Sequence, residues 1–138
     1  MKALFFLLSF LSSLALSLDI NDKIITLRSA TDFIELSNNV NNGTSYAGST
    51  VILGNDIDFT GYSEEFKPIG REFDISLCAK FDGQGHTISN LNMVSSDPFV
   101  GLFGVINGSS FKNLVVDSSC SFYNNHNIIN NISYTGGK

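Results

Sequence analysis

The sequence predicts an all-β protein built as a parallel β-helix, a solenoid of about three to four coils, with a short helix at its amino end. Three observations lead there. Ile88 and Leu91 recur as Phe111 and Leu114, both displaced by 23 residues, and Gly85, Asn90, Ser95 and Ser96 meet Gly108, Asn113, Ser118 and Ser119 at that same displacement. A period in this range marks architectures in which one unit cannot bury its apolar face without a neighbour, and a coil of about that length can turn once and pair with the coils above and below. Asn, Ser and Gly dominate the polar residues, whereas charged residues supply only 15 % of the chain. That mixture suits short strands joined by tight turns, because Gly and Asn tolerate positive φ and Asn and Ser bond their own backbone. The apolar fraction of 43 % is enough for a core, and 138 residues suffice for one domain.

Taken in order, residues 1–17 read as a signal peptide. Lys2 supplies a positive start, residues 3–16 form a nearly unbroken apolar run, and Ala15 and Ser17 place small residues at a cleavage site after position 17. The run falls short of the roughly 20 residues that span a bilayer, and no second one follows, so no membrane span is expected once the leader is removed. The destination is then secreted or cell-surface, in an oxidising compartment. Three glycosylation sequons accord with it, at Asn42 (NGT), Asn107 (NGS) and Asn131 (NIS).

Residues 18–49 are expected to hold a strand and a capping helix. The strand is 23–27 (KIITL), with Ile25 and Leu27 on one face. The helix is 31–40: Ser29 or Thr31 serves as N-cap, Asp32 and Glu35 put negative charge in the first turn, and Asn41, Asn42 and Gly43 end it. Such a helix would cover the first layer of core side chains that a stacked-strand protein otherwise exposes.

Residues 50–122 are the expected coils. Residues 50–59 (TVILGNDIDF) form a strand pair turned at Gly54 and Asn55, and 61–79 is an irregular excursion rich in acidic residues. Residues 80–93 (KFDGQGHTISNLNM) carry the repeat, and 100–106 (VGLFGVI) reads as a strand packed on both sides, with 111–116 (FKNLVV) the next. Residues 123–138 are an irregular or frayed last coil, in which Ile129, Asn131 and Ile132 echo Phe111, Asn113 and Leu114 at a displacement of 18. The chain is expected to continue into, or stack with, further coils.

The ordered segments DIDF, FKPIG, KFDGQGHTISNL, VGLFG and FKNLVV, between residues 50 and 121, resemble the GLUG-motif repeat family, named for its G-L-x-G signature. Leu77 and Ala79 depart from the Phe and Gly that the family tends to show before the FDG turn. The resemblance implies that the β-helix is right-handed and that the protein takes part in surface adhesion or display. It implies no active site and no cofactor. Partners on this reading are host or cell-surface glycans or proteins.

Asn90 and Asn113 fall at equivalent repeat positions before an inward Leu, so stacked side-chain amides are expected to form a ladder, which Asn131 would extend. Chemistry has few candidates. Asp56 and Asp58 share a strand face and Asp82 opens a turn; together they are the candidates for the alternative, a β-helical polysaccharide lyase or glycoside hydrolase, or for calcium ligation. His86 sits in the GQGHT turn and His126 near the end, without the spacing of a zinc site. Cys78 and Cys120 are the candidate disulfide, set against two separate buried thiols. The net charge is −5 and the eight basic residues are scattered, so a nucleic-acid backbone finds no basic track.

Overall fold

The structure is a computed structural model that describes residues 23–125. Residues 1–22, which include the expected signal peptide, and residues 126–138, with His126 and Asn131, lie outside the described residues.

Strand β1 (Ile24–Leu27) leads into helix α1 (Ala30–Asn41). The helix starts where it does because Ser29 is extended, at φ −150° and ψ 165°, and its Oγ accepts the Asp32 backbone N–H at 3.2 Å. Asp32 Oδ2 in turn accepts the Arg28 N–H at 2.8 Å. Two backbone donors at the helix start are thereby satisfied by side chains of opposite direction, the logic of a capping box. Of the two N-caps that the sequence allowed, Ser29 is the one used. At the other end Gly43, at φ 107°, donates to the Val40 carbonyl and closes the helix. The stripe Phe33, Ile34, Leu36 and Val40 is buried, together with Ala30 and Ser37.

Eight further short strands follow: β2 (Thr50–Leu53), β3 (Ile57–Asp58), β4 (Lys80–Asp82), β5 (Thr87–Ser89), β6 (Asn92–Ser95), β7 (Ser110–Lys112), β8 (Val115–Val116) and β9 (Ser121–Asn124). They form three parallel sheets in the orders β1-β2-β4-β7, β3-β5-β8 and β6-β9. Parallel partners need long connections. Helix α1 is one of them, and the irregular segments 61–79 and 97–109 serve as the others.

The expected right-handed parallel β-helix of three to four coils is corrected here. The described residues form three separate open sheets of four, three and two strands plus one helix; no sheet closes, and a β-helix is not shown. The 23-residue step describes none of the six pairings. Ile88 pairs with Val116 rather than standing over Phe111, and Phe111 pairs with Phe81. The paired residues lie 26 apart between β1 and β2 (Ile24 with Thr50) and 31 apart between β3 and β5 (Ile57 with Ile88), with the other pairings between those limits. The sequence repeat has another cause. Asn90 and Asn113 both adopt left-handed backbone, at φ 57° and 54°, at turns that precede an inward Leu. One turn leaves β5 and the other leaves β7, in different sheets, so a shared local requirement produced an echo that is not a stacking distance.

The segment 100–106, expected as a strand, is instead a series of bends tied by two isolated parallel bridges, Ile69 with Phe103 and Leu77 with Ile106. Gly104 and Gly70 make this possible. A Cβ on Gly70, whose φ is 92°, would collide with the Val105 carbonyl oxygen, and one on Gly104 with the Gly70 carbonyl oxygen.

The core joins all of this. Val51 and Leu53 from β2, Ile57 from β3, Phe81 from β4, Ile88 from β5 and Met93 from β6 are buried in one cluster with the stripe of α1. At the centre, Phe33 of the helix has its ring 5.8, 6.0 and 5.9 Å from those of Phe59, Phe66 and Phe81, and Phe59 lies 5.3 Å from Phe66. Tilted and edge-on rings at this separation add to the area they bury. Phe33→Ala is expected to cost about 3–5 kcal/mol in urea denaturation, the usual range for a buried Phe. Phe73→Ala, at a side chain 68 % exposed, should stay within about 0.5 kcal/mol of the parent.

Candidate functional site

The three predicted acids do not converge. Asp56 and Asp58 flank buried Ile57 on the exposed side of β3, and Asp82 ends β4 in another sheet. Each carboxylate already has local work. Asp56 Oδ1 accepts the Thr87 N–H at 2.9 Å and meets His86 Nδ1 at 3.1 Å. Asp58 Oδ1 accepts from the Thr60 N–H at 2.9 Å, the Thr60 hydroxyl at 2.7 Å and Asn90 Nδ2 at 2.9 Å. Asp82 Oδ1 accepts the Gln84 N–H at 2.9 Å and Asn113 Nδ2 at 3.2 Å, and its Oδ2 lies 3.6 Å from Lys112 Nζ. Among the described residues, no three of His, Cys, Asp and Glu gather into a group able to hold a metal ion.

These bonds also correct the asparagine ladder. Asn90 reaches back to Asp58, and its own N–H donates to Ser119 Oγ at 2.8 Å, which in turn donates to Asp117. Asn113 reaches back to Asp82. Two polar files therefore run along the ends of two sheets, each pairing an Asp with an Asn that lies 32 or 31 residues later. An amide from an asparagine already held in the left-handed region satisfies the acid of a turn, which identical stacked amides would not do.

The hydrogen bonds hold all three carboxyls below the ordinary value of 3.8. The leading cause is the Thr87 N–H for Asp56, the Thr60 hydroxyl for Asp58 and the Gln84 N–H for Asp82. The arrangement keeps them charged and accepting, the opposite of the raised pKa that a general acid needs.

Cys78 and Cys120 are both free thiols in the structure. Cys78 donates to the Ser76 carbonyl and Cys120 to that of Ile88, at 3.8 and 3.5 Å. Burial pushes the Cys120 thiol up, which keeps it protonated and a weak nucleophile. Of the sequons, Asn42 is exposed at the end of α1, whereas Asn107 is half-buried and its sequon hydroxyl, Ser109 Oγ, donates to the Leu77 carbonyl at 2.6 Å.

A cleft of about 460 Å³, which the sequence reading missed, opens between the end of α1, residues 67–71 and residues 97–99. Asn41 builds its floor. Its Oδ1 accepts the Gly70 N–H at 3.0 Å, its Nδ2 donates to the Pro68 carbonyl at 3.0 Å, and its own carbonyl accepts Arg71 Nη2 at 2.9 Å. Ser37 Oγ adds a bond to the Lys67 carbonyl at 2.6 Å. Behind this segment, Gly104 and Val105 donate to the Ile69 and Gly70 carbonyls. The backbone of one wall is thus fixed from two sides, and it presents Lys67 and Arg71. Facing them, Asp97 and Phe99 are exposed, Phe99 by 42 %. No single motif marks this place: its parts come from three stretches about 30 residues apart, and the cations look scattered until the chain folds.

No family profile, curated protein or solved structure matches the chain.

Because the three carboxyls are more acidic folded than unfolded, their stabilisation is complete above the unfolded value near 3.8 and is lost as pH falls through the lower folded values. The melting temperature should therefore be level from about pH 7 to pH 5 and fall below about pH 4. An Asp58→Asn, Asp82→Asn double variant should show a shallower acid limb. An equal acid limb in the variant would mean that the stabilisation comes from other groups.

Proposed function

We propose that the protein is a secreted or cell-surface module with a structural and adhesive role, a binder and not a catalyst. The observation that carries this reading is the use to which its acids are put. Asp56, Asp58 and Asp82 each hold a turn or an asparagine from the next strand of their sheet, and their lowered pKa values suit fixed acceptors rather than proton donors. Glycoside hydrolysis needs two carboxyls across one bond with their pKa values pushed apart, and these three are lowered together.

Three further features support a binding role. The leader at residues 1–17 directs the chain outward, and the resemblance to the GLUG-motif repeats implies adhesion or display. The cleft beside α1 offers an exposed ring, amides and cations on a clamped backbone, the kind of prearranged surface that binds with little ordering cost. Glycans or proteins of a cell surface are the partners this reading names.

The protein secreted without its leader should be retained on cells or immobilised polysaccharides and should release no sugar from a panel of plant and bacterial polysaccharides. Turnover that disappears in Asp58→Asn would overturn the reading in favour of a carbohydrate-active enzyme.

A further inference from the structure

We infer that the cleft between the end of α1 and residues 97–99 is a binding site for a saccharide that carries a carboxylate, a uronic or a sialic acid. The inference rests on the adhesive reading above and names the ligand class of that role.

The charge of the cleft points to an anion. The chain as a whole carries −5, yet of the three charged side chains lining the cleft two are cations, Lys67 and Arg71, and one is an acid, Asp97. None of the three is neutralised by an ion pair among the described residues, whose two ion pairs are Asp56 with His86 and Asp82 with Lys112. Arg71 uses Nη2 on the Asn41 carbonyl, which anchors the guanidinium and leaves other N–H groups on its fork. A fork held in place by one bond is prearranged for a planar carboxylate. A cationic spot on an acidic surface also focuses the field where an anion is welcome.

The rest of the lining suits a sugar better than a bare anion. Phe99, exposed by 42 % and flanked by Pro98, presents an apolar face on which the C–H side of a pyranose can lie. The amides of Asn38 and Asn42 and the carboxylate of Asp97 make no side-chain hydrogen bond among the described residues and are exposed. Amides that give and accept, beside a carboxylate that accepts, are what neighbouring ring hydroxyls require, and an inorganic anion would have no use for Asp97. The volume, about 460 Å³, falls in the usual range of small-ligand sites, roughly 300–1,000 Å³. The floor beneath does not have to move, since Asn41 ties Pro68, Gly70 and Arg71 to the helix.

The test uses the chain without its leader, made in a host that adds no N-glycan because Asn42 stands on the rim. Calorimetric titration is run with an oligogalacturonate and with sialyllactose. Their neutral counterparts, the methyl-esterified oligogalacturonide and lactose, are run beside them, with polyaspartate as a carboxylate that is no sugar. Binding is expected for at least one of the two acids, lost on its neutral counterpart and not reproduced by polyaspartate. Whichever acid binds identifies the source. Lys67→Gln, Arg71→Gln and Phe99→Ala should each weaken it by roughly tenfold or more, the size expected for losing one charge-assisted bond or a stacked ring. Lys67 and Phe99 are exposed, so their variants should melt with the parent, and added salt should weaken binding in the parent more than in Lys67→Gln. Equal binding of the neutral sugars or of polyaspartate, unchanged affinity in the variants, or no acid bound at all overturns this inference. If the Lys67→Gln and Phe99→Ala variants still adhere to cells as the parent does, the ligand site is wrong while the adhesive role stands; polysaccharide turnover by the parent defeats the role itself.

Discussion

Phe33 is the residue on which the fold turns. Among the described residues no strand is longer than four residues, and two strands have only two. Ladders that short contribute few hydrogen bonds each, and parallel pairing gives them no tight hairpin to hold the register. What they have in common is an inward side chain. One helical phenylalanine touches three rings, from the segment after β3, from the excursion at residue 66 and from β4, and a second contact group of Phe81, Phe103 and Phe111 continues it, with rings 5.5, 6.0 and 4.6 Å apart. The sheets are positioned by what they bury.

The same constraint explains the polar chemistry at the strand ends. Strands of two to four residues mean many turns, and each turn strands a backbone donor that burial or crowding would leave unmet. Asp58, Asp82 and Asp117 each accept the N–H of the residue two positions on; an asparagine from another pass then joins Asp58 and Asp82, and the hydroxyl of Ser119 in the same turn joins Asp117. Among the described residues no buried side-chain polar atom lacks a partner. Acids that do this are structural parts, and their acidity is lowered by the donors they satisfy. This draws together an Asn- and Ser-rich composition and a low content of charge.

Where turns are closed by their own side chains, free polar groups collect on the surfaces that the turns leave over. The end of α1 is such a place. Asn41 spends its side chain on the Pro68 and Gly70 backbone and on Ser37 Oγ, and Asn38 and Asn42 on the same helix end are exposed. The result is a rigid floor under free polar groups, with two cations on one wall and an aromatic ring on the other.

Much of the local structure was legible in the sequence, because it depends on neighbours within a few residues. Ser29 with Asp32 announces the helix start and Gly43 its end, and KIITL, TVIL and DIDF show strand alternation. Register was not legible in that way. Asn90 and Asn113 look like repeats since each occupies a left-handed turn before an apolar residue, but local conformation has no information about which turn lies above which. The pairing of Phe81 with Phe111 and of Ile88 with Val116 was decided by the irregular connections between strands, whose lengths are set by how their Phe66, Ile69 and Leu102 pack into the core. The cleft follows the same rule. Lys67, Asp97 and Asn42 come to line one cleft only through long-range packing, which brings together three stretches that share no motif.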